Sequence, residues 1–519
     1  MEPTTLLLTI LTAGVCLYYF VLSKLTYFER LKVPYVQPIP FFGNMAPFVF
    51  RRISNVELIQ KMYNLFPDAK YFGFFDFSSP TFIIRDPELI SMIAIKHFDN
   101  FCDHRAFVNE SLDPIAGRNL FNLRGDHWRE MRKLLSPSFT SSKMKMMFEL
   151  MSQCAENCAT FVATEAGKAG KTYDMKEILC RYANDTVATC AFGISVDSFK
   201  FPKNEFFMVG RKAMVFEGLV SFKLYMHRNF PLLADLFKLR MFGPKIENFF
   251  KDVVSNTVKT RDEQGIVRPD MMQLMMETRN KDNRREFDIN EMTAQAFVFF
   301  LAGFDTVSTA MCCMTHEIGI NPDVQRKLRE EIDDVLRQTN GKPTYEAINR
   351  MKYLDAVITE TLRMYPIVSF LDRVCIKETE LPPATPKSKP VTLKPGDRVW
   401  FPNYSLHRDP KYYPHPNKFD PERFLDNTVD NSIYMPFGIG PRICIGNRFA
   451  LMETKIMLFY LLWHCDLEPD DIKTKIPMVF SKTSFTTTAE GGFWLKLRAR
   501  NLKAPVTQGL SNGHKVEEP

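Results

Sequence analysis

Phe437-Gly-Ile-Gly-Pro-Arg-Ile-Cys-Ile-Gly446 places one thiol, Cys444, inside a glycine-kinked loop that also carries an arginine. Its filled positions read F-x-x-G-x-R-x-C-x-G. A thiolate in such a loop suits the axial position of haem iron, provided its negative charge is held and not quenched by solvent. Gly440 and Gly446 let the backbone fold tightly around the sulfur so that N–H groups point at it. Arg442 is placed to reach a haem propionate, where a guanidinium fork matches a carboxylate. The helix predicted to start near Gly446, with Asn447-Arg-Phe-Ala-Leu-Met-Glu-Thr454, would aim its positive end at the sulfur. Phe437 supplies an apolar cover.

The other ten of the eleven cysteines read differently. Cys16, Cys102, Cys154, Cys158, Cys180, Cys190, Cys312, Cys313, Cys375 and Cys465 form no C-x-x-C pair, and small buried hydrophobes are what isolated cysteines usually are. The odd total of eleven and the scattered placement argue against a disulfide framework and for a reducing compartment around the main body.

Phe297-Val-Phe-Phe-Leu-Ala-Gly-Phe-Asp-Thr-Val-Ser-Thr309 is apolar on every side for two turns, which predicts a helix through the protein centre. Asp305 and Thr306 enter that helix as a charge and a hydroxyl that cost energy unless used or paired. Ala302 and Thr306 share a face, and Gly303 removes a side chain beside them, so a flat cofactor and a diatomic molecule can approach. Thr306 is also placed to bond back to the carbonyl four residues earlier and open the helix locally.

Three shorter patterns complete the set. Glu360-Thr-Leu-Arg363 puts an acid and a base on one helix face, Pro366 stops that helix, and Phe419-Asp-Pro-Glu-Arg-Phe424 supplies Arg423. Trp128-Arg-Glu-Met-Arg132 offers an indole N–H and a guanidinium four residues apart, a fitting pair for a propionate. Leu371-Asp-Arg-Val374 offers Arg373 for the same purpose, with His104 and His127 as helpers outside the firm set.

These segments, in the order Trp128, Asp305–Thr306, Glu360, Arg423, Cys444, resemble cytochrome P450, the haem-thiolate monooxygenase family, from about residue 30 to 500. The resemblance implies a mainly α fold with small β-sheets: one large domain holding haem b between central and proximal helices. It implies Cys444 as the iron ligand, Asp305 and Thr306 as an acid–alcohol pair relaying protons, and Glu360, Arg363 and Arg423 as a buried network locking the thiolate loop. Trp128, Arg132, Arg373, Phe437, Arg442 and Cys444 would bind the cofactor. Val307 departs from the many relatives that carry a second hydroxyl residue there. Electrons would come from NADPH through NADPH-cytochrome P450 reductase, with cytochrome b5 as a further donor, since no G-x-G-x-x-G nucleotide site is present. The wording around Phe299–Ser308 and Phe370–Cys375 is similar to insect microsomal members that oxidise plant toxins and insecticides. An endogenous hormone or fatty acid is the alternative substrate. A reductase-independent haem-thiolate isomerase would be expected to lose the acid–threonine pair, and a haem sensor or carrier would have no use for it.

Length alone, at 519 residues, would predict about three domains, yet no linker supports that. The charged stretch 277–286, the proline-rich stretch 381–390 and the tail after Asn501 read as surface loops and a loose end. Strands are expected at Lys70–Phe77 and Thr81–Arg85, with a turn at Lys394-Pro-Gly-Asp397 entering another. Thr5–Ser23 is nineteen uncharged residues, about 28 Å as a helix, followed by Lys24, Arg30 and Lys32. That predicts a membrane anchor over 1–24 with the domain on the cytosolic side, then a proline-rich hinge over 25–45, a catalytic domain over 46–500 and a tail over 501–519. The hinge resembles that of microsomal members, which implies the endoplasmic reticulum membrane. A net charge of +7, without basic runs interleaved with aromatics, excludes a nucleic-acid reader. Arg124, Arg129, Lys133, Lys143, Lys145 and Arg448 form a candidate face for an acidic electron donor. Phe222–Leu233 mixes apolar and basic residues in the manner of a segment that dips into a membrane surface. The substrate pocket is expected to draw on the loop before Trp128, the Phe297–Thr309 helix, Ile367–Leu371 and Thr483–Thr486; their apolar content suits lipophilic, small organic substrates oxidised by O2.

Overall fold

The computed structural model describes residues 3–105, 108–214, 219–279, 287–426 and 430–500. The expected 501–519 tail and most of the 277–286 loop lie outside them. Helices dominate, and short strands form three small sheets among the described residues.

The main sheet has four strands in the order Tyr71–Asp76, Ser79–Ile84, Arg398–Phe401, Leu371–Val374. The first two pair antiparallel, Tyr71 opposite Ile84, and their aromatic and β-branched side chains are buried. The expected break at Ser78–Pro80 is shorter than the sequence implied, because Ser79 and Pro80 already pair with Asp76 and Phe75. Arg398–Phe401 runs parallel to the second strand and antiparallel to Leu371–Val374, Arg373 facing Val399. The 381–390 loop separates the paired strands Thr379–Leu381 and Val391–Leu393.

The helical body is built around the central rod Ile289–Leu301, Ala302–Val307 and Ser308–Ile320. Asp288 caps its start by accepting from the Glu291 N–H, which satisfies one of the orphan donors there. Phe297, Phe300, Met311, Cys312 and Cys313 are fully buried. This is the one stretch long and apolar enough to cross a membrane among the described residues, and 61% of its apolar window is buried inside the protein, so it is a core helix. Ser141–Ala166, Met175–Val187 and Asn447–His464 pack with it into one large hydrophobic core. Pro3–Leu25 is helical over the expected anchor, and Leu7, Leu8 and Tyr19 on it are exposed.

Candidate haem-thiolate site

The thiolate loop is closed by one backbone hydrogen bond, Cys444 N–H donating to Phe437 O at 2.8 Å. Gly440 has φ +73°, and a Cβ there would meet Ala94 O at 2.1 Å, so glycine is required both by conformation and by the neighbouring chain. Gly446 needs no special conformation. It precedes the Asn447–His464 helix, and its N–H bonds to the Cys444 sulfur, as the loop reading anticipated.

Cys444 differs from Cys102, Cys158, Cys180, Cys190, Cys312, Cys313, Cys375 and Cys465, which are free and buried, and from free, half-buried Cys154. Its surface is accessible, yet burial by surrounding protein pushes its thiol pKa up, while the Gly446 N–H and the Arg132 charge pull it down. Accessible surface inside the fold marks a hollow. Ala302 shows the same behaviour: it is exposed on the central rod between Phe300 and Phe304, which are buried. The rod touches the helix that follows Cys444.

The rod itself is distorted where the sequence placed its polar pair. Ala302–Val307 is a π-helical segment, and Thr306 Oγ1 donates to Ala302 O at 2.5 Å, the predicted back-bond. Asp305 is not alone: Lys176 Nζ lies 2.8 Å from its Oδ1 and also donates to Ser308 Oγ at 3.0 Å and Thr309 Oγ1 at 2.5 Å. Burial alone would lower the Lys176 pKa, but Cys180 and Asp305 raise it further, so the ammonium persists. Sequence reasoning missed Lys176, since it lies on another helix, Met175–Val187. Gly303 corrects a second expectation. A Cβ there would meet Val187 at 2.6 Å, so this glycine makes room for a neighbouring helix and not for a cofactor.

Four donors surround the loop. Arg132 is half-buried, close enough to Cys444 for their charges to interact, and no described residue accepts from its guanidinium. Trp128 is buried, with the Arg442 guanidinium 4.0 Å from its ring centroid, a cation–π contact. Arg442 donates from Nε to Cys102 O at 2.7 Å and from Nη2 to Leu123 O at 2.9 Å, so much of its capacity ties the loop to the segment before Trp128. Arg373 donates to Asp372 O at 2.6 Å and Ile439 O at 3.1 Å, while its buried Nε has no partner. Burial lowers the pKa of Arg373 and of Arg442 to about 10, and that of Arg132 to a lesser degree. Three guanidiniums held in a dry place, one of them unpaired, fit a guest carrying two carboxylates, as haem does. His104 joins them: its Nδ1 lies 2.9 Å from Asp372 Oδ1 and its ring stacks on Phe121. His127 is exposed.

Behind the loop, Glu360 and Arg363 are fully buried and paired twice, at 2.7 and 2.9 Å. Arg423 reaches Glu360 at 3.4 Å, completing the expected network. Arg363 also donates to His407 O at 2.7 Å and Pro416 O at 2.9 Å. His407 Nε2 accepts from the Met435 N–H at 2.9 Å, two residues before Phe437. This histidine, unremarked in the sequence, is the physical link from the Glu360 network to the thiolate loop. Phe437 is half-buried against the main core.

The expected pocket segments do meet. Gln295 of the central rod accepts from Leu120 N–H and donates to Arg118 O, both at 2.9 Å, which fixes the loop before Trp128 against the rod. Val368 bridges Thr486, and Thr487 N–H donates to Ile367 O at 2.9 Å.

The cytochrome P450 family model matches residues 33–495. The chain belongs to the cytochrome P450 family. It is 45% identical to "Cytochrome P450 9e2" of Blattella germanica over 91% of this chain and 94% of that one. It is 38% identical to "Probable cytochrome P450 9f2" of Drosophila melanogaster over 94% and 98%, and 35% identical to "Cytochrome P450 6j1" of Blattella germanica over 96% and 98%. The protein is therefore a cytochrome P450 monooxygenase, an oxidoreductase of a haem-iron family. The acid–threonine pair on its π-helical segment is intact.

Proposed function

We propose that this cytochrome P450 oxidises lipophilic xenobiotics, such as plant toxins or insecticides, with electrons from NADPH delivered by NADPH-cytochrome P450 reductase and cytochrome b5. The likeness to insect relatives over nearly the whole chain supports this reading. The observation that carries the chemistry is the meeting of an accessible Cys444 with an unpaired Arg132.

Haem bound through Cys444 would supply the activation of O2 and the oxidising equivalent. The chain's own residues do the rest. Arg132, Trp128, Arg373 and Arg442 hold and orient the two propionates. The Gly446 N–H and the helix behind it stabilise negative charge on the sulfur. Thr306 Oγ1, anchored on Ala302 O, presents a hydroxyl on the accessible face of the rod and passes a proton across it. Asp305, 2.8 Å from Lys176, relays the replacement proton from the Lys176–Ser308–Thr309 side by taking it up and passing it on. Apolar side chains at Phe121 and Val368, each 45% exposed, select greasy molecules.

Residues 1–24 serve as a membrane anchor and 25–45 as a hinge, with the 46–500 domain on the cytosolic face of the endoplasmic reticulum. Leu232, Leu236 and Phe237 are 83%, 71% and 65% exposed, which supports contact of this edge with the membrane surface. The basic donor face is thinner than the sequence implied, since Arg129 pairs with Asp99 and Lys145 with Glu346. The reduced, carbon monoxide-bound spectrum, read with reductase-dependent turnover of an insecticide panel, tests the whole reading. A thiolate-type band with NADPH-dependent product is expected. A histidine-type band, or haem binding without turnover, refutes it.

A further inference from the structure

A hollow of about 300 Å³ lies apart from the haem site, between the start of the Ser141–Ala166 helix, the turn 265–270 and the Met271–Arg279 helix. The chain makes it by changing direction. The Pro244–Gln264 helix stops at Gly265, whose φ of +64° suits a residue without a side chain. Asp270 then ties the turn to both helices, accepting from Arg261 Nη1 and from the Gln273 N–H, each at 2.9 Å. Val267, within the turn, is 78% exposed. A second hollow, of about 250 Å³, shares Val267, Gln273 and Glu277 with the first, so the two adjoin. None of the donors around Cys444 lines either one.

The lining says what fits. A hollow of this size lies at the lower end of the range for ligand pockets, so the guest is small. Met146, Met147 and Leu274 make its apolar wall, and methionine thioethers are polarizable, adapt in shape and favour aromatic rings. Three polar groups on the lining have no partner among the described residues. The Gln273 side-chain oxygen is buried without a hydrogen bond. Lys143 and Glu277 are both half-buried, and neither forms an ion pair. Arg268 also lines the hollow, but it is engaged by Gly193 O, Thr189 Oγ1 and Asp270. A guest with a net charge would meet its own sign in Lys143 or Glu277, and a hydrocarbon would leave the Gln273 oxygen unsatisfied. A neutral hydroxyl avoids both penalties: it donates to the amide oxygen and accepts from the ammonium, while an aromatic ring behind it faces the methionines.

We propose that this hollow is a second ligand site, separate from the haem pocket, and that it takes a small phenol. The phenol's hydroxyl lies between Gln273 Oε1 and Lys143, and its ring lies against Met146 and Met147. The inference goes beyond the proposed oxidation and does not depend on it.

Fluorine-19 NMR of 4-fluorophenol with the full-length haem-loaded protein tests it without turnover. Saturating 1-phenylimidazole, whose ring nitrogen takes the open side of the iron, closes the haem pocket, and the visible spectrum reports that closure. 4-Fluoroanisole, which lacks the O–H donor, is the comparison. With the haem pocket closed, the phenol is expected to bind saturably and about fivefold more tightly than the anisole, the net worth of one neutral hydrogen bond. Gln273→Leu should bring the two within about twofold of each other, since no acceptor is then left for the hydroxyl. Met146→Trp, which fills the hollow from its exposed rim, should weaken both by at least about tenfold. The carbon monoxide spectrum reports folding of each variant, and Met146→Trp decides if Gln273→Leu does not fold. Loss of phenol binding when the haem pocket is closed, equal binding of phenol and anisole, or unchanged binding in the folded variants overturns the proposal.

Discussion

Replacing Arg363 by methionine should be among the most damaging single changes in this protein, and the structure says by how much. Arg363 makes four hydrogen bonds, two to Glu360 and one each to His407 O and Pro416 O, and both it and Glu360 are 0% exposed. Without it, the Glu360 carboxylate keeps only the Asp420 N–H at 2.9 Å and the distant Arg423. Stranding a buried charge costs about 3–5 kcal/mol. Against a typical net stability of about 5–15 kcal/mol, that removes about a fifth or more. The damage is directional, because the same guanidinium holds His407, and His407 holds Met435 at the base of the thiolate loop.

Arg423 belongs to the same network, but its side chain is 15% exposed and its contact is 3.4 Å long, so Arg423→Met should cost only about 1 kcal/mol. Urea unfolding followed by circular dichroism, with haem content measured as the pyridine complex, reads both. Arg363→Met should lose most of its haem, and Glu360→Leu added to Arg363→Met should recover part of the stability, since no charge is then stranded. Equal losses for the two arginine variants, or a loss below about 1 kcal/mol for Arg363→Met, would refute the reasoning.

Burial and the neighbouring Arg363 charge lower the His407 pKa to about 3, so below the unfolded value of about 6.5 only the unfolded chain takes up the proton. Unfolding free energy should therefore fall by about 2 kcal/mol between pH 6.5 and 5, and His407→Gln should flatten that slope in urea titrations. Thr306→Ala, which deletes the hydroxyl held on Ala302 O, should raise peroxide released per product severalfold, about 10-fold at most for one lost proton donor, in a coupled NADPH assay. Lys176→Met should lower product per NADPH in the same assay by about tenfold, by leaving Asp305 without its counter-charge. Arg132→Gln should speed haem transfer to apomyoglobin by about tenfold, the share of one charge-assisted bond.

What could be read from the chain and what could not divides along a physical line. The thiolate loop, the Thr306 back-bond and the Glu360–Arg363 pair are local: each depends on residues within a few positions, where helix spacing and glycine conformation decide the geometry. Lys176 meets Asp305 across 129 positions and His407 meets Met435 across 28, and no periodicity announces such encounters. Gly303 failed for a related reason. A small residue on a buried helix records that something comes close, but Val187 and a cofactor leave the same mark in one dimension. The sheet was readable in its strands, though its order, with 398–401 between 79–84 and 371–374, depends on the tertiary fold.

The buried cations around Cys444 explain why this site and the protein's stability belong together. Arg132, Arg373 and Arg442 each have a pKa depressed by burial, which means the fold carries charge that water would hold more cheaply. Asp103 and Asp372 offset part of it, at 3.4 Å from Arg442 and through the Arg373 neighbourhood. The remainder fits the two carboxylates that haem would bring, with Cys444 of the chain itself offering the sulfur. A ligand that pairs with these cations binds the folded state and not the unfolded chain, so its affinity would be added to the folding free energy by mass action. Arg363 and Arg132 therefore act on one equilibrium from opposite sides of the loop: the first keeps the thiol in place, and the second offers its charge to the carboxylates that would bind there.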